Sequence, residues 1–333
     1  MAAPINGPST STKVAFPRLT PEVIEGFAGS CLKKYYDNAS GFAAFHRELW
    51  ELCCSDDKFI AIAAPRGHAK STIITITYTL AAILFRQSKF VLVVADTEAQ
   101  AALFLGQIKQ ILYDSTEIHS LFGLHVDEKG VVFEKDTETD IIVKFTDNSM
   151  FRIIAKGAEQ KLRGLLWQGS RPDLIVIDDI LNDELVANKD RRDKLRKWIY
   201  GALIPCRSEV GKIRWVGTVM NLDDPLCSLM PNQRDKHSVV TDLKVSSTKK
   251  KGMWKSVLYR AHNSDYSQLL WPERKTIQFF RELRQDFQEQ GMPEVYACEY
   301  LNNPVDDSIR YFRQGDFLPM TEEDKKKNLT FYI

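Results

Sequence analysis

Phe59-Ile60-Ala61-Ile62-Ala63-Ala64-Pro65-Arg66-Gly67-His68-Ala69-Lys70-Ser71-Thr72 is the stretch on which the reading of this chain turns. Its first six residues are an unbroken apolar run between Lys58 and Pro65, which suits a strand buried on both faces. A short loop follows, and then Lys70 to Phe85 reads as a helix rich in Thr and Ile. A strand–loop–helix unit of this kind holds phosphates on curled backbone N–H groups at a helix N-terminus. A lysine reaches the β- and γ-phosphates and a hydroxyl takes Mg²⁺. Lys70 and Ser71 supply those two groups in order. Both glycines of the G-x4-G-K-[S/T] pattern are alanine here, Ala64 and Ala69, with Gly67 in mid-loop instead. Arg66, Gly67, His68, Ala69, Lys70, Ser71 and Thr72 are therefore the expected nucleotide-binding residues, with Ser71 toward the metal.

The partner of this loop lies downstream, in Asp173-Leu174-Ile175-Val176-Ile177-Asp178-Asp179. Four apolar residues ending in acids place carboxylates at the C-terminal end of a buried strand, where open α/β sheets bind ligands. Asp178 is expected to hold Mg²⁺ beside Ser71, and Asp179 to polarise the attacking water. A full strand–helix unit, residues 90–112, separates the two motifs. An additional strand is thus expected between the two motif strands in the sheet.

Outward from these motifs, apolar runs alternate with amphipathic segments. Helices are expected at 21–36 and 41–53, a buried strand at 90–95, and a helix at 97–112 capped by Thr97. Three short runs between Val131 and Ile154, with turn chemistry at 147–149, predict an antiparallel patch at one sheet edge. Asn188–Leu203 reads as a charged amphipathic helix and Lys212–Gly217 as a strand. The predicted fold is α/β: a mainly parallel sheet flanked by helices, a P-loop NTPase of the additional-strand, catalytic-acid type with a small helical lid. Four divisions are expected: 1–20 a flexible arm, 21–255 the ATPase core, 256–312 the lid, and 313–333 a linker entering a truncated second domain.

Composition bounds the partners. With 333 residues and 44% hydrophobic content the chain can bury a large core. Its 45 basic residues against 44 acidic ones leave +1 net, so nucleic-acid contact has to be local. The six cysteines form no CxxC pair or zinc spacing and read as reduced thiols of a soluble cytosolic protein. No apolar run is long enough for a membrane span.

Phosphoryl transfer also calls for a cation on the transition state. Arg66 is placed to act in cis. Arg163, in Lys161-Leu162-Arg163-Gly164 among Gly157, Gly164 and Gly169, reads as part of a mobile loop suited to acting across a subunit interface. Thr218, at the tip of the 212–217 strand, is a candidate sensor of the γ-phosphate.

The ordered set PRGHAKST, LRG, DLIVIDD, VGTVMNLDDPL, LLWPER and EYLNNP resembles the large terminase subunit of tailed bacteriophages, from about residue 40 to the end. The resemblance implies an ATP- and Mg²⁺-dependent motor that drives double-stranded DNA into a procapsid. It assigns Arg66 and Lys70 to the phosphates, Asp178 to Mg²⁺, Arg163 to a trans-acting finger and Thr218 to a coupling motif. The acid after the metal-binding Asp is commonly Glu in that family. Here it is Asp179, with Asp183 and Glu184 one turn on, so Glu184 is a second candidate for the water. The family's upstream adenine-recognising residue is often Gln; this chain has none before Gln87, so His46 or Arg47 is expected in that place. Implied partners are a portal protein, a small terminase subunit and further copies in a ring, with a monomer expected in isolation, acting in the host cytoplasm at the procapsid portal. The implied second, nuclease domain would begin near Phe331-Tyr332-Ile333, so no DNA cleavage is expected from this chain. Two other functions stay open on the residues alone: a helicase-like or remodelling ATPase, and a nucleotide-binding scaffold that does not hydrolyse. Lys189–Lys197 and Lys249–Lys255 are the densest basic runs; as DNA contacts they compete with a reading as solvated surface.

Overall fold

The computed structural model describes residues 16–36, 41–128, 130–231, 242–247 and 252–304. Most of the expected arm and the whole 313–333 segment lie outside them. Nine strands form one sheet: β1 (Phe59–Ala63), β2 (Phe90–Ala95), β5 (Phe133–Asp136), β6 (Asp140–Lys144), β7 (Met150–Gly157), β8 (Leu174–Asp178), β9 (Lys212–Gly217), β10 (Lys244–Ser246) and β11 (Lys255–Tyr259). The short strands β3 (Val126–Asp127) and β4 (Gly130–Val131) pair apart from it. The order is β10-β11-β1-β9-β8-β2-β7-β6-β5. The central block from β11 to β7 is parallel throughout, and both edges are antiparallel. The expected edge patch is present, its β6–β7 turn fixed by Asp147 Oδ1 accepting from the Ser149 N–H at 3.0 Å.

Successive side chains of the central strands feed opposite layers. Ile60, Ile62, Val91, Val93, Val176 and Val216 pack under α1 (Pro21–Phe27), α2 (Ala44–Cys54), α3 (Thr79–Leu84), α4 (Glu98–Asp114) and α5 (Thr116–Phe122). Ala61, Leu92, Val94, Ile175, Ile177 and Ile213 pack under α6 (Asp183–Ala187), α7 (Lys189–Trp198) and α8 (Ile204–Cys206). Burial on both faces explains the continuous apolar runs. Thr97 caps α4 as expected, accepting from the Gln100 N–H at 3.1 Å. The helix after the phosphate loop opens as a wide π turn, Thr72–Tyr78, before tightening into α3. Its run of Thr and Ile crowds a regular α-helix.

Two details differ from expectation. An additional strand does separate the motif strands β1 and β8, but it is β9; residues 90–95 lie on the far side of β8. Sequence order records when a strand is made, not beside which strand it settles. Strand β11 is absent from the sequence expectation, and it pairs in parallel with β1. The expected core–lid boundary after residue 255 therefore falls inside a sheet strand. The C-terminal helices α9 (Ile277–Glu289) and α10 (Pro293–Leu301) follow it.

Arg214 of β9 is fully buried and pairs with no carboxylate among the described residues. Its guanidinium donates to the carbonyls of Cys53, Ser55 and Asp57, which close the C-terminal end of α2, and to that of Ile213. A cation at the negative end of a helix dipole, spread over four carbonyls, replaces the usual counter-ion.

Candidate nucleotide site

The C-terminal ends of β1, β9 and β8 converge, and three loops meet there. Ala64 closes β1 with its N–H on the Gly217 carbonyl at 2.9 Å. Beyond it the chain turns through Gly67 at φ +71° and Ala69 at φ +58°. Ala69, at the position where a second glycine is usual, thus holds the left-handed conformation that favours glycine, at a cost of about 1–2 kcal/mol. The loop keeps its shape because its neighbours brace it. His46 accepts from the Ala43 N–H on Nδ1 (3.1 Å), so its Nε2 donates to the His68 carbonyl (3.1 Å). His68 is fully buried, donates from Nδ1 to the Arg66 carbonyl and stacks 6.3 Å from Phe280 of α9.

Lys70 is 7% exposed, and its ammonium reaches two neighbouring strand ends. Its Nζ lies 2.9 Å from Asp179 Oδ2 and donates to Thr218 Oγ1 at 2.9 Å. Ser71 Oγ donates to Asp178 Oδ1 at 3.0 Å, and Thr75, one turn further on, donates to the other oxygen, Oδ2. Burial, and then the adjacent Asp179 carboxylate, push the Asp178 carboxyl well above the usual range. Asp179 itself stands at φ +43° with its N–H on the Val216 carbonyl, which turns its carboxylate into the cleft. A buried acid held by two hydroxyls next to a second acid is relieved by a divalent cation. Among the described residues no group of three His, Cys, Asp or Glu is set to cage a metal.

Beside the loop opens a cavity of about 780 Å³, lined by Tyr36, His46, Ala69, Ile73, Gln110 and Trp271 among others. It is large enough for a base and ribose. His46 lines it, but both ring nitrogens are committed to protein partners, so its direct contribution is to hold the loop. Arg47 pairs with Glu25 at 2.8 Å. Lys275, which carries no motif signal in the sequence, lies above the loop: a Cβ on Gly67 would meet its Nζ at 3.5 Å. Burial lowers its pKa, as does neighbouring Arg274, so an anion between it and Lys70 would be welcome.

The remaining candidates are more dispersed. Arg66 points outward, its guanidinium 2.9 Å from Glu299 and its N–H on the Glu299 carbonyl at 2.8 Å, so the loop is tied to α10. Glu184 is exposed and paired with Arg191 at 2.9 Å. Arg163 is exposed beside a separate cavity of about 300 Å³ that includes Leu166, Arg171 and Pro205 and none of the phosphate-loop residues. Its glycine neighbours have specific backbone tasks. Gly164 and Gly169 adopt φ +87° and +72°, Gly169 in a tight turn closed by paired Trp167–Ser170 bonds. A Cβ on Gly157 would meet the Glu98 nitrogen at 2.6 Å. In the basic run of α7, Arg191, Arg192, Lys194 and Arg196 all pair with carboxylates, the second and fourth with Asp223. Asp224 accepts from the N–H groups of Met220, Asn221 and Cys227, which fixes the loop after Thr218. Of the second basic run, Lys255 pairs with Asp57 at 3.2 Å, and residues 249–251 lie outside the described set.

Three buried histidines give the domain an acid sensitivity. Burial lowers His46 and His262 from the ordinary 6.5 to about 4, and His68 to about 3. Above pH 6.5 these rings are neutral folded or unfolded, and stability is complete. As the pH falls from 6.5 toward 4 the unfolded chain takes up protons the folded one cannot, so stability falls. Asp173, Asp178 and Asp224, raised by burial, titrate in the opposite sense and offset part of this. His262 donates to the Asn263 carbonyl and accepts from the Tyr296 hydroxyl, away from the cleft. Removing its titration in His262→Phe should flatten the decline in Tm between pH 6.5 and 4.5 by the equivalent of roughly 2–3 kcal/mol. An unchanged slope in thermal melts would show that His262 does not carry it.

No protein-family model matches the sequence, and no curated protein does. Solved structures do. The ATPase domain of the large terminase of Thermus phage P74-26 superposes with a TM-score of 0.51 at 14% identity, over 77% of this chain and 92% of that one. An arginine-to-alanine variant of that domain matches at the same score and identity, over 75% and 90%. The large terminase of another thermophilic bacteriophage, in complex with ADP, gives 0.48 at 10% identity, over 79% of this chain and 54% of that one. The chain therefore has the fold of a phage large-terminase ATPase domain, a mainly parallel sheet flanked by helices.

Proposed function

We propose that this chain hydrolyses ATP with Mg²⁺ as the motor domain of a viral DNA-packaging machine. One observation carries the catalytic part: Lys70 and Ser71 of a single loop meet Asp178, Asp179 and Thr218 from two neighbouring strand ends. The loop N–H groups and Lys70 would bind the β- and γ-phosphates. Ser71 and Asp178 would hold Mg²⁺, which supplies charge neutralisation between the phosphate oxygens. Asp179, released from Lys70 as that cation turns to the phosphates, would accept a hydrogen bond from the attacking water. The base would enter the cavity beside Trp271. The packaging role rests on the sequence resemblance together with the shared fold. Double-stranded DNA, a portal protein, a small terminase subunit and a ring of copies belong to the same proposal, with Arg163 acting on a neighbouring copy's nucleotide and the helices after β11 serving as a lid.

Purified chain should release phosphate from ATP only with Mg²⁺, and Asp178→Ala should lower that rate by roughly 10² or more. Hydrolysis that survives this change would remove Asp178 from the metal site. A Mg²⁺-dependent ATP complex with no turnover would make the chain a scaffold. For the water, Asp179→Asn should cost about 10²–10³ in kcat, and Glu184→Gln less than about threefold. The reverse ranking would transfer the role to Glu184.

A further inference from the structure

Asn302 ends α10 in the left-handed conformation, at φ +50° and 1% exposed. Its backbone N–H closes the helix on the Cys298 carbonyl, and that of Asn303 does so on Ala297, which leaves the side chain free for other work. Oδ1 accepts from the Val219 N–H at 2.8 Å, and Nδ2 donates to the Tyr259 carbonyl at 2.7 Å. Val219 lies two residues past the end of β9, and Tyr259 ends β11. These two strands flank β1, so one amide straddles the strand from which the phosphate loop springs. Val219 is the residue after Thr218, whose hydroxyl receives Lys70. Three residues before Asn302, Glu299 holds both the backbone and the guanidinium of Arg66 within the phosphate loop.

A fully satisfied buried amide of this kind contributes to stability, but stability alone does not require these partners. The first anchor completes a continuous path, Lys70, Thr218, the Val219 peptide, Asn302, α10, and the second ties the same amide to β11. We propose that Asn302 is a positioning residue that transmits occupancy of the phosphate site to α10. It does so by holding that helix to the tips of β9 and β11 at once, and both anchors are needed. The inference rests on the nucleotide-binding reading above. A triphosphate that draws Lys70 away from Thr218 leaves the Thr218–Val219 segment free to shift, and the Val219 N–H carries the shift into the Asn302 amide. The bound and free states then differ in contacts at α10, which is what coupling between two sites requires.

The experiment uses the full chain with Mg²⁺ and AMP-PNP, and reads amide hydrogen exchange of residues 293–301 with and without nucleotide. Asn302→Gly tolerates the left-handed backbone and deletes both anchors. Asn302→Asp keeps the size and the Val219 contact but sets an acceptor against the Tyr259 carbonyl. In the unaltered chain nucleotide should change exchange in α10 at least threefold. Both variants should bind nucleotide within about threefold of normal, lose the α10 response, and lose about tenfold in kcat with KM little changed. A purely structural role would lower Tm and leave the response in place. Either variant keeping the full response overturns the proposal, and so does an unaltered chain that binds nucleotide without any change in α10. If Asn302→Gly does not fold, Asn302→Asp decides alone. Failure of the unaltered chain to bind AMP-PNP is a separate result, which removes the nucleotide site and this inference with it.

Discussion

Replacing Lys70 with methionine is expected to reduce kcat for ATP hydrolysis by about 10³ or more, roughly 4 kcal/mol of transition-state stabilisation. The size follows from preorganisation. The ammonium is 7% exposed and pinned at 2.9 Å by both Asp179 and Thr218, so it is aimed before any phosphate arrives. Water cannot take its place in so closed a position. Its loss acts twice, because the Asp178–Asp179 pair then faces the phosphates without its nearest cation and their mutual repulsion rises. Methionine retains the aliphatic stem, so the variant should fold and melt close to the parent. Phosphate release and a thermal melt on the same preparation separate the two effects. If more than a tenth of the rate survives in folded protein, Lys70 is not the phosphate-binding cation.

The second large effect is on stability. Arg214→Met should destabilise the domain by about 3 kcal/mol, a fall in Tm of about 4 °C for a chain of this length. The carbonyls of Cys53, Ser55 and Asp57 lose a shared charged donor inside a buried layer; Cys53 keeps the Tyr78 hydroxyl and Ser55 the Lys212 ammonium, so the loss is that of charge-assisted hydrogen bonds, worth about 1.5–3 kcal/mol. Methionine fills much of the volume, which keeps the loss below that of a cavity-forming alanine. Denaturant unfolding measures it. Because α2 carries His46 near its start and Arg214 braces its end, the phosphate loop should loosen with it and KM for ATP should rise. A change under about 1 kcal/mol would show that water or backbone relaxation satisfies those carbonyls.

The grouping of the candidate residues was legible where chemistry is local in sequence. Lys70-Ser71 and Asp178-Asp179 are recognisable because an apolar run followed by a polar group encodes both a buried strand and what stands at its end. Ala69 adopts the left-handed turn because His46, His68 and Phe280 hold the loop around it, and those supports come from three separate parts of the chain. Thr75 was missed although its spacing is regular: it stands one turn past Ser71, so both hydroxyls share the helix face toward Asp178.

By itself the sequence determined which segments are buried strands, that the sheet is mainly parallel, and which residues stand at the ends of β1, β8 and β9. Hydrophobic periodicity and turn chemistry act over a few residues, so they can be read without knowing the fold. Only the tertiary structure decided that β9 rather than β2 separates the motif strands, that β11 belongs to the sheet, that Arg214 caps α2, and that Asn302 spans β1. Each of these pairs residues far apart in sequence. Their choice follows from how whole layers pack and from the need of every buried polar group for a partner, conditions that exist only once the chain has folded.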